Sequence, residues 1–458
     1  MINPRDASGL GPILAIAVAA CGSSPEKNPG SSPGKNTRAA AQVRVTVVRD
    51  GEPVTGAHVI YHDAAGNVVT TATTGNDGAS RHRLTGPGMV TVIGAPNTRL
   101  ARAAVQTRYT FVGVEPGDEL VVGNQPSPPG ATGRLTVQLP GAVETASAYV
   151  VDLGCVRETA DRADDLVRVR FSSACFAGDG TLSILAVAVG PEGEPLAYST
   201  LRDVRINERG HAHAEVPAWH TDWHAVTIRL QTPPAQSLIG GVRLAQIANG
   251  VAFEGPAAIT DLRGAPTDLP FHLARFGDEL RVTVVASFGL EGTIQGMAMS
   301  EQSFDGELDG ISLDLGDLLL PRIPGVVLST KDLERPRVVW TADGGLSNTN
   351  GAMLLLSWYD PNGLEVGEQL WAILLPPEIG GRFQLPALPD ELSSYRPSGE
   401  SVHGSPMLAF FEFDSVNGYD QLRTEFGYSM LSGESLPPRM KRTRLTLGGD
   451  ALQMIPAR

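Results

Sequence analysis

An all-β chain of several domains is what the 458-residue sequence predicts, and three observations carry that prediction. With 52 glycines and 34 prolines, the chain holds many turns and few long helices. Short β-branched runs alternate with Asp-Gly and Pro-Gly pairs, the punctuation of a β-sandwich. At roughly 150 residues per domain, the length asks for about three domains. A hydrophobic content of 42% against 19% charged residues gives each domain enough apolar side chains for a core.

The first element is a leader. Residues 1–21 carry one early base, Arg5 beside Asp6, then an apolar stretch over 10–20. That stretch is too short to cross a bilayer but fits the apolar region of a secretory signal. It ends in Val18-Ala19-Ala20-Cys21, which resembles the lipobox of bacterial lipoproteins, with Val at a position more often Leu. The resemblance implies cleavage before Cys21 and a diacylglycerol (palmitate-type) anchor on that residue. More than one acyl chain is needed for stable anchoring. Gly22 and Ser23 follow in place of Asp, which by the same resemblance implies sorting to the outer membrane. Residues 22–42 are rich in Gly, Ser, Pro and Asn without apolar periodicity and read as a flexible tether.

From Val43 the pattern becomes strand and turn. Val43, Val45 and Val47 alternate, and further strands follow at 57–61, 68–74, 81–84 and 89–93, separated by turns such as Asn76-Asp77-Gly78 and Gly86-Pro87-Gly88. This stretch resembles the carboxypeptidase regulatory-like (transthyretin-like) modules and related bacterial Ig-like modules. The resemblance implies a sandwich over 43–96 that spaces, braces or binds, and it brings no catalytic residues.

Beyond 96 the sequence reads as a tandem duplication. Gly117-Asp118-Glu119-Leu120 recurs at 277–280, Asp152-Leu153-Gly154 at 314–316, and Val216-Pro217-Ala218 is echoed by Leu385-Pro386-Ala387. The strand at 181–185 likewise parallels 352–356. The expected domains are therefore 97–235 and 257–425, either separate or halves of one larger unit, with 236–256 as a connection and 426–458 as a C-terminal extension. A repeat this long is neither a solenoid nor a propeller blade.

Once Cys21 is assigned to lipid, Cys155 and Cys175 form an even pair in an exported chain, and a disulfide between them is expected. Two cysteines are half of a zinc site, and no Cys-x-x-Cys spacing is present.

Other candidate chemistry is weaker than its structural alternative. His211 and His213 share a strand face near His220 and His224, so a metal is conceivable, but their counterparts at 380–384 in the supposed duplicate are polar and read as surface. Asp305-Gly306-Glu307-Leu308-Asp309-Gly310 mimics the start of a calcium loop, yet Gly316 stands where a bidentate Glu belongs, and a turn is expected. His403 and Ser405, with Asp414 and Asp420 downstream, sit in a loop-like stretch. The five tryptophans could stack on sugars or fill cores, and cores are the expectation. No zincin or phosphate-loop motif is present.

No catalytic residue, metal ligand or cofactor is therefore assigned. A net charge of −14, with lysine only at Lys27, Lys35, Lys331 and Lys441, argues against nucleic acid as a partner. The expected role is non-enzymatic: a lipid-anchored envelope protein that is structural, adhesive or ligand-binding, with the membrane and an envelope protein or glycan as partners. The alternative is an accessory or divergent carbohydrate-active or hydrolytic enzyme. A subunit of a larger envelope assembly is a third reading, which an exposed sheet edge would support.

Overall fold

Strand β1 (Val43–Arg49) buries Val43, Val45 and Val47 and turns Arg44 and Thr46 outward, the period-two pattern of a half-buried strand. It is the first strand of a computed structural model that describes residues 41–449, apart from the positions named next. Position 50, 95–105, 124–131, 178, 208–209, 264–265, 291–292, 330–331, 333, 359–368, 397–405 and 433–440 lie outside that description. Cys21, the leader and residues 22–40 fall outside it as well.

Seven strand positions, a to g, define the first module. They are β1, β3 (His58–His62), β4 (Val68–Thr73), β5 (Ala79–His82), β6 (Gly88–Ile93), β7 (Gln106–Val114) and β8 (Glu119–Val122). The two-residue β2 (Glu52–Pro53) pairs with the end of β1. One sheet runs d-a-g and the other c-b-e-f; a and g pair in parallel, and the remaining neighbours are antiparallel.

The same order returns three times. Module two uses β9 (Gly133–Gln138), β10 (Ala148–Asp152), β11 (Arg157–Asp161), β12 (Leu166–Phe171), β13 (Leu182–Val189), β14 (Pro195–Val204) and β15 (His211–Glu215). Module three uses β16 (His224–Gln231), β17 (Ser237–Ala248), β18 (Val251–Asp261), β19 (Thr267–Leu273), β20 (Glu279–Leu290), β21 (Thr293–Asp305) and β22 (Gly310–Asp314). Both pair as d-a-g and c-b-e-f, again with a and g parallel. After the short helix α1 (Leu315–Leu318) and β23 (Gly325–Ser329), module four supplies a to f. These are β24 (Arg337–Thr341), β25 (Gly351–Trp358), β26 (Gln369–Leu375), β27 (Arg382–Gln384), β28 (Met407–Phe413) and β29 (Arg442–Gly448). Here β23, antiparallel to a, occupies the place that g takes elsewhere.

The all-β expectation holds, and the two-copy duplication does not. Among the described residues the chain repeats one sandwich four times. Gly117-Asp118 precedes strand g of module one, whereas Gly277-Asp278 precedes strand e of module three. Asp152 ends a b strand and Asp314 a g strand; Leu182 begins an e strand, and Ala352 lies in a b strand. Val216 follows g, but Leu385 follows d. Turn residues recur wherever a strand must end, so matching turns do not mark matching positions. The informative repeat is in strand a, where Thr46, Thr136 and Thr227 each stand between two buried aliphatics, about 90 residues apart.

The boundaries shift accordingly. The first sandwich needs β7 and β8 and so runs to 122, not 96. Residues 236–256 are no connection but most of the b–c hairpin of module three. The supposed extension from 426 carries β29, an interior strand of the longest sheet.

That sheet has twelve strands and joins three modules edge to edge. Strand f of module three pairs antiparallel with f of module four, β21 on β29, and c of module four pairs in parallel with f of module one, β26 on β7. Module two stays outside it and leans on module three through Leu185, Tyr198, Phe253 and Phe276. Where modules one and four meet, both faces of the sheet are covered, and β6, β26 and β28 are accordingly almost continuous apolar runs.

Candidate functional site

Cys155 follows strand b of module two, and Cys175 lies in the 3-10 turn Ser173–Cys175 between strands d and e. The two are bonded, with Cα atoms 4.9 Å apart, so the link staples the b–c corner to the d–e crossover. Cys175 is fully buried within the core of that module.

The histidines do not converge. His211 and His213 point outward from β15, and His213 Nε2 lies 3.8 Å from Glu215 Oε1 on the same exposed face. Arg382 and Gln384 belong to strand d of module four and are not their counterparts. His220 bridges to Tyr198 across the sandwich rim, while His224 lies buried at the start of β16 against the Leu308 carbonyl. Among the described residues, no group of three His, Cys, Asp or Glu side chains is arranged to hold a metal.

Residues 305–310 form the corner from β21 to β22, with Gly306 at φ +79°. Their acids meet bases: Glu307 pairs with Arg275 at 2.8 Å and Asp305 with Lys441 at 3.5 Å. His403 and Ser405 lie outside the described residues. Trp340, Trp358 and Trp371 are core residues. Trp219 stacks on Tyr149 and donates to the Gly141 carbonyl, and Trp223 packs on Tyr198.

A partly open hollow of about 20 Å³ lies among His224, Gln246, Leu273, Phe276 and Leu308 of module three, room for about one water. An open, polar groove of about 400 Å³ runs between β11 and β12, beside Glu158, Asp164, Asp165 and Arg168.

The buried chemistry gathers at the junction of modules one and four. Gly113, at φ +69°, is the extra residue of a β-bulge in β7, a conformation that favours glycine, and its carbonyl turns to accept from Arg423. Arg423 sits in the insert between β28 and β29, made of α2 (Gly418–Gln421), a π-helical turn (Leu422–Phe426) and α3 (Gly427–Ser432). It donates to Asp118 at 2.7 Å, both side chains being buried. Burial pushes the Asp118 carboxyl up, against the opposing pull of Arg423. The Tyr419 hydroxyl lies 2.8 Å from the Val112 carbonyl and 3.0 Å from that of Leu374, tying β7 to β26, and burial raises its pKa strongly.

On the other face of the same sheet, Arg108 is wholly buried. It donates to Gln369 Oε1 at 2.5 Å and lies over Trp358 and Tyr395, with its carbon 4.5 and 5.0 Å from their ring centres. Burial lowers its pKa to about 9. Beside it, His62 Nε2 meets Thr91 Oγ1 at 3.0 Å, Thr91 meets Thr110 at 2.9 Å, and Trp371 donates to Thr110 at 2.8 Å. This polar chain crosses from module one into module four.

Sequence reading missed these groups because a polar residue inside an apolar run looks like an outward-facing position. The available signal was Arg-Tyr-Thr-Phe-Val at 108–112, where two polar residues share the face that a covered strand would bury.

No protein-family model matches the chain, and no curated protein does either. Among solved structures, the chain is similar at 13% identity to the Bacillus anthracis TIE protein, with a TM-score of 0.14 over 60% of this chain and 50% of that one. It is similar at 8% identity to a Streptococcal ancillary pilin, with a TM-score of 0.14 over 60% of this chain and 98% of the other. A putative adhesin from Bacteroides ovatus aligns at 8% identity and a TM-score of 0.10, over 67% and 96% of the two chains. Scores this low carry no argument, and the all-β architecture rests on the strand pairing itself.

Proposed function

We propose that this chain is an exported bacterial envelope protein, anchored by lipid on Cys21, whose work is mechanical or adhesive rather than catalytic. The observation that supports this most is where the buried polar groups go. Arg423, Asp118, Tyr419, Arg108, His62 and Trp371 are engaged in fastening one module to another, not in lining a cavity. Catalytic groups ordinarily converge on a concave pocket that can exclude water. A chain that sets two buried arginines and a line of buried hydrogen bonds between two sandwiches is suited to hold a shape under load or to present a surface.

The leader, the lipobox and the tether support the anchor, and the transthyretin-like pattern at 43–96 supports an accessory, bracing role. No helix among the described residues is long and apolar enough to cross a membrane. The test compares wild type with Cys21→Ala in cells fed a clickable fatty acid. Label on wild type alone, with the variant released from the membrane fraction, is the expected result. Equal labelling of the two would overturn the anchor.

A further inference from the structure

We propose that the outer face of the d-a-g sheet of module two binds an acidic polysaccharide, one that carries carboxylates on successive sugars. This rests on the adhesive side of the reading above and names a partner class for it, and it does not depend on lipid at Cys21.

The face is built by strand alternation. Strand β9 buries Leu135 and Val137 and turns Arg134 and Thr136 away from the core; β12 turns out Arg168 and Arg170, and β15 turns out His211 and His213. The register sets these side chains in rows across the three strands. Arg170, Arg134 and His211 stand side by side, and Arg168, Thr136 and His213 form the next row. The three arginines are exposed, and among the described residues none of them is ion-paired. The acids of this face lie at its other end, where Glu215 sits 3.8 Å from His213 and Asp164 and Asp165 precede β12.

The other modules treat the same sheet differently. Module one also sets one arginine opposite another, Arg81 against Arg44, but Glu119 lies beside Arg44 on strand g and Asp77 pairs with Arg81 at 2.9 Å. In module three Arg229 faces Asp268 at 3.0 Å, and in module four Arg337 donates to Gln384 at 3.3 Å. Like charges directly opposite one another destabilise a sheet. Module two alone leaves such a pair, Arg170 against Arg134, with a histidine where module one has its acid. A bound anion relieves that repulsion.

The chemistry of the face selects the partner. A guanidinium grips a carboxylate with two parallel N–H donors, and an imidazole adds a donor for a sugar oxygen. Neighbouring strands lie about 4.8 Å apart, close to the length of one pyranose ring, so a row across the strands is spaced to meet successive sugars. A protein partner needs an apolar centre for its anchor residues. This face offers only Leu166, at its acidic end. A membrane plane must also face the rest of a chain whose net charge is −14. Single-stranded nucleic acid stacks its bases on aromatic rings, and no Phe, Tyr or Trp of these strands points outward. A slender, hydrophilic, carboxylate-bearing chain fits.

The test is isothermal titration calorimetry of the full chain with polygalacturonate in about 0.05 M and about 1 M NaCl, the screening length falling to about 3 Å in the second. Three proteins are compared. They are wild type, the triple variant Arg134→Gln, Arg168→Gln, Arg170→Gln, and a control that removes the same charge elsewhere, Arg81→Gln, Arg229→Gln, Arg337→Gln. All six side chains are exposed, and unchanged thermal unfolding confirms that each variant folds. The expected result is wild-type binding at low salt that is lost at high salt, at least tenfold weaker binding by the first variant, and control binding within twofold of wild type. Absence of wild-type binding at low salt would overturn the proposal. So would equal weakening by the two variants, which makes net charge rather than this face the cause. Tighter binding to phosphatidylglycerol vesicles, duplex DNA or polyglutamate than to polygalacturonate would overturn the glycan as partner. None of these results moves the labelling of Cys21, so failure here and failure of the anchor are told apart.

Discussion

The indole N–H of Trp371, in module four, donates to the hydroxyl of Thr110, in module one, across 2.8 Å of fully buried space. The two residues are 261 positions apart in sequence, yet they lie on paired strands, since β26 and β7 run in parallel with Trp371 opposite Arg108. Thr110 in turn meets Thr91, and Thr91 meets His62, so one line of hydrogen bonds crosses three neighbouring strands of module one and enters module four. A buried line of this kind is costly to break, because a stranded donor loses its hydration without compensation.

Thr110→Val keeps the shape and removes the hydroxyl. It leaves the Trp371 N–H without an acceptor and should cost about 1–3 kcal/mol in urea unfolding. Trp371→Phe with Thr110→Val removes both ends and should cost less than the sum of the two single changes. Additive costs would show that the two side chains are not coupled.

Arg423 and Asp118 fasten the helical insert to the last turn of module one. Removing one partner leaves the other buried and unpaired, so Arg423→Met should destabilise by about 3–5 kcal/mol. Adding Asp118→Asn should recover a large part of that loss. Chemical denaturation of the four proteins measures the coupling.

The staple in module two spans 20 residues, and its loss should lower stability by about 3 kcal/mol through a freer unfolded chain. Cys155→Ser with Cys175→Ser, compared with wild type with and without reductant, isolates the effect. Peptide mapping without reduction checks the bond itself.

How much of this was legible in the sequence depends on range. Alternation in 43–49 and the Asp-Gly and Pro-Gly turns marked strands and their ends, because those signals act over a few residues. The pairing of Cys155 with Cys175 was legible by counting. The fourfold repeat was hidden because its copies share inward aliphatics, which many sequences satisfy, and not their loops. Only the threonine at the centre of strand a survives as a visible mark in modules one to three. At the junction of modules one and four, the run 108–112 hinted at a covered strand, but its partner was not legible. Nothing near Arg108 announces that a strand more than 250 residues later will cover it, nor that Trp358 and Tyr395 will stack on it. Polar groups at such a junction look like surface residues until their partners are known.

His62 offers the clearest pH test of that junction. Burial, aided by the charge of Arg335, lowers its pKa from 6.5 to about 4, so the folded protein keeps the ring neutral. In the unfolded chain the same ring takes up a proton near pH 6.5. Between those values the unfolded state binds more protons, and stability falls as pH falls. The stabilising contribution is fully present above pH 6.5 and is lost as pH drops through about 4. Its size, by linkage, is about 3 kcal/mol between pH 7 and pH 4. His62→Gln retains a group able to meet Thr91 but does not titrate, so its stability should fall less over the same range, by about that difference. Urea midpoints for both proteins at pH 7, 5.5 and 4 measure it. Parallel curves would show that His62 titrates alike in the folded and unfolded states, and the polar line from His62 to Trp371 would then be open to water.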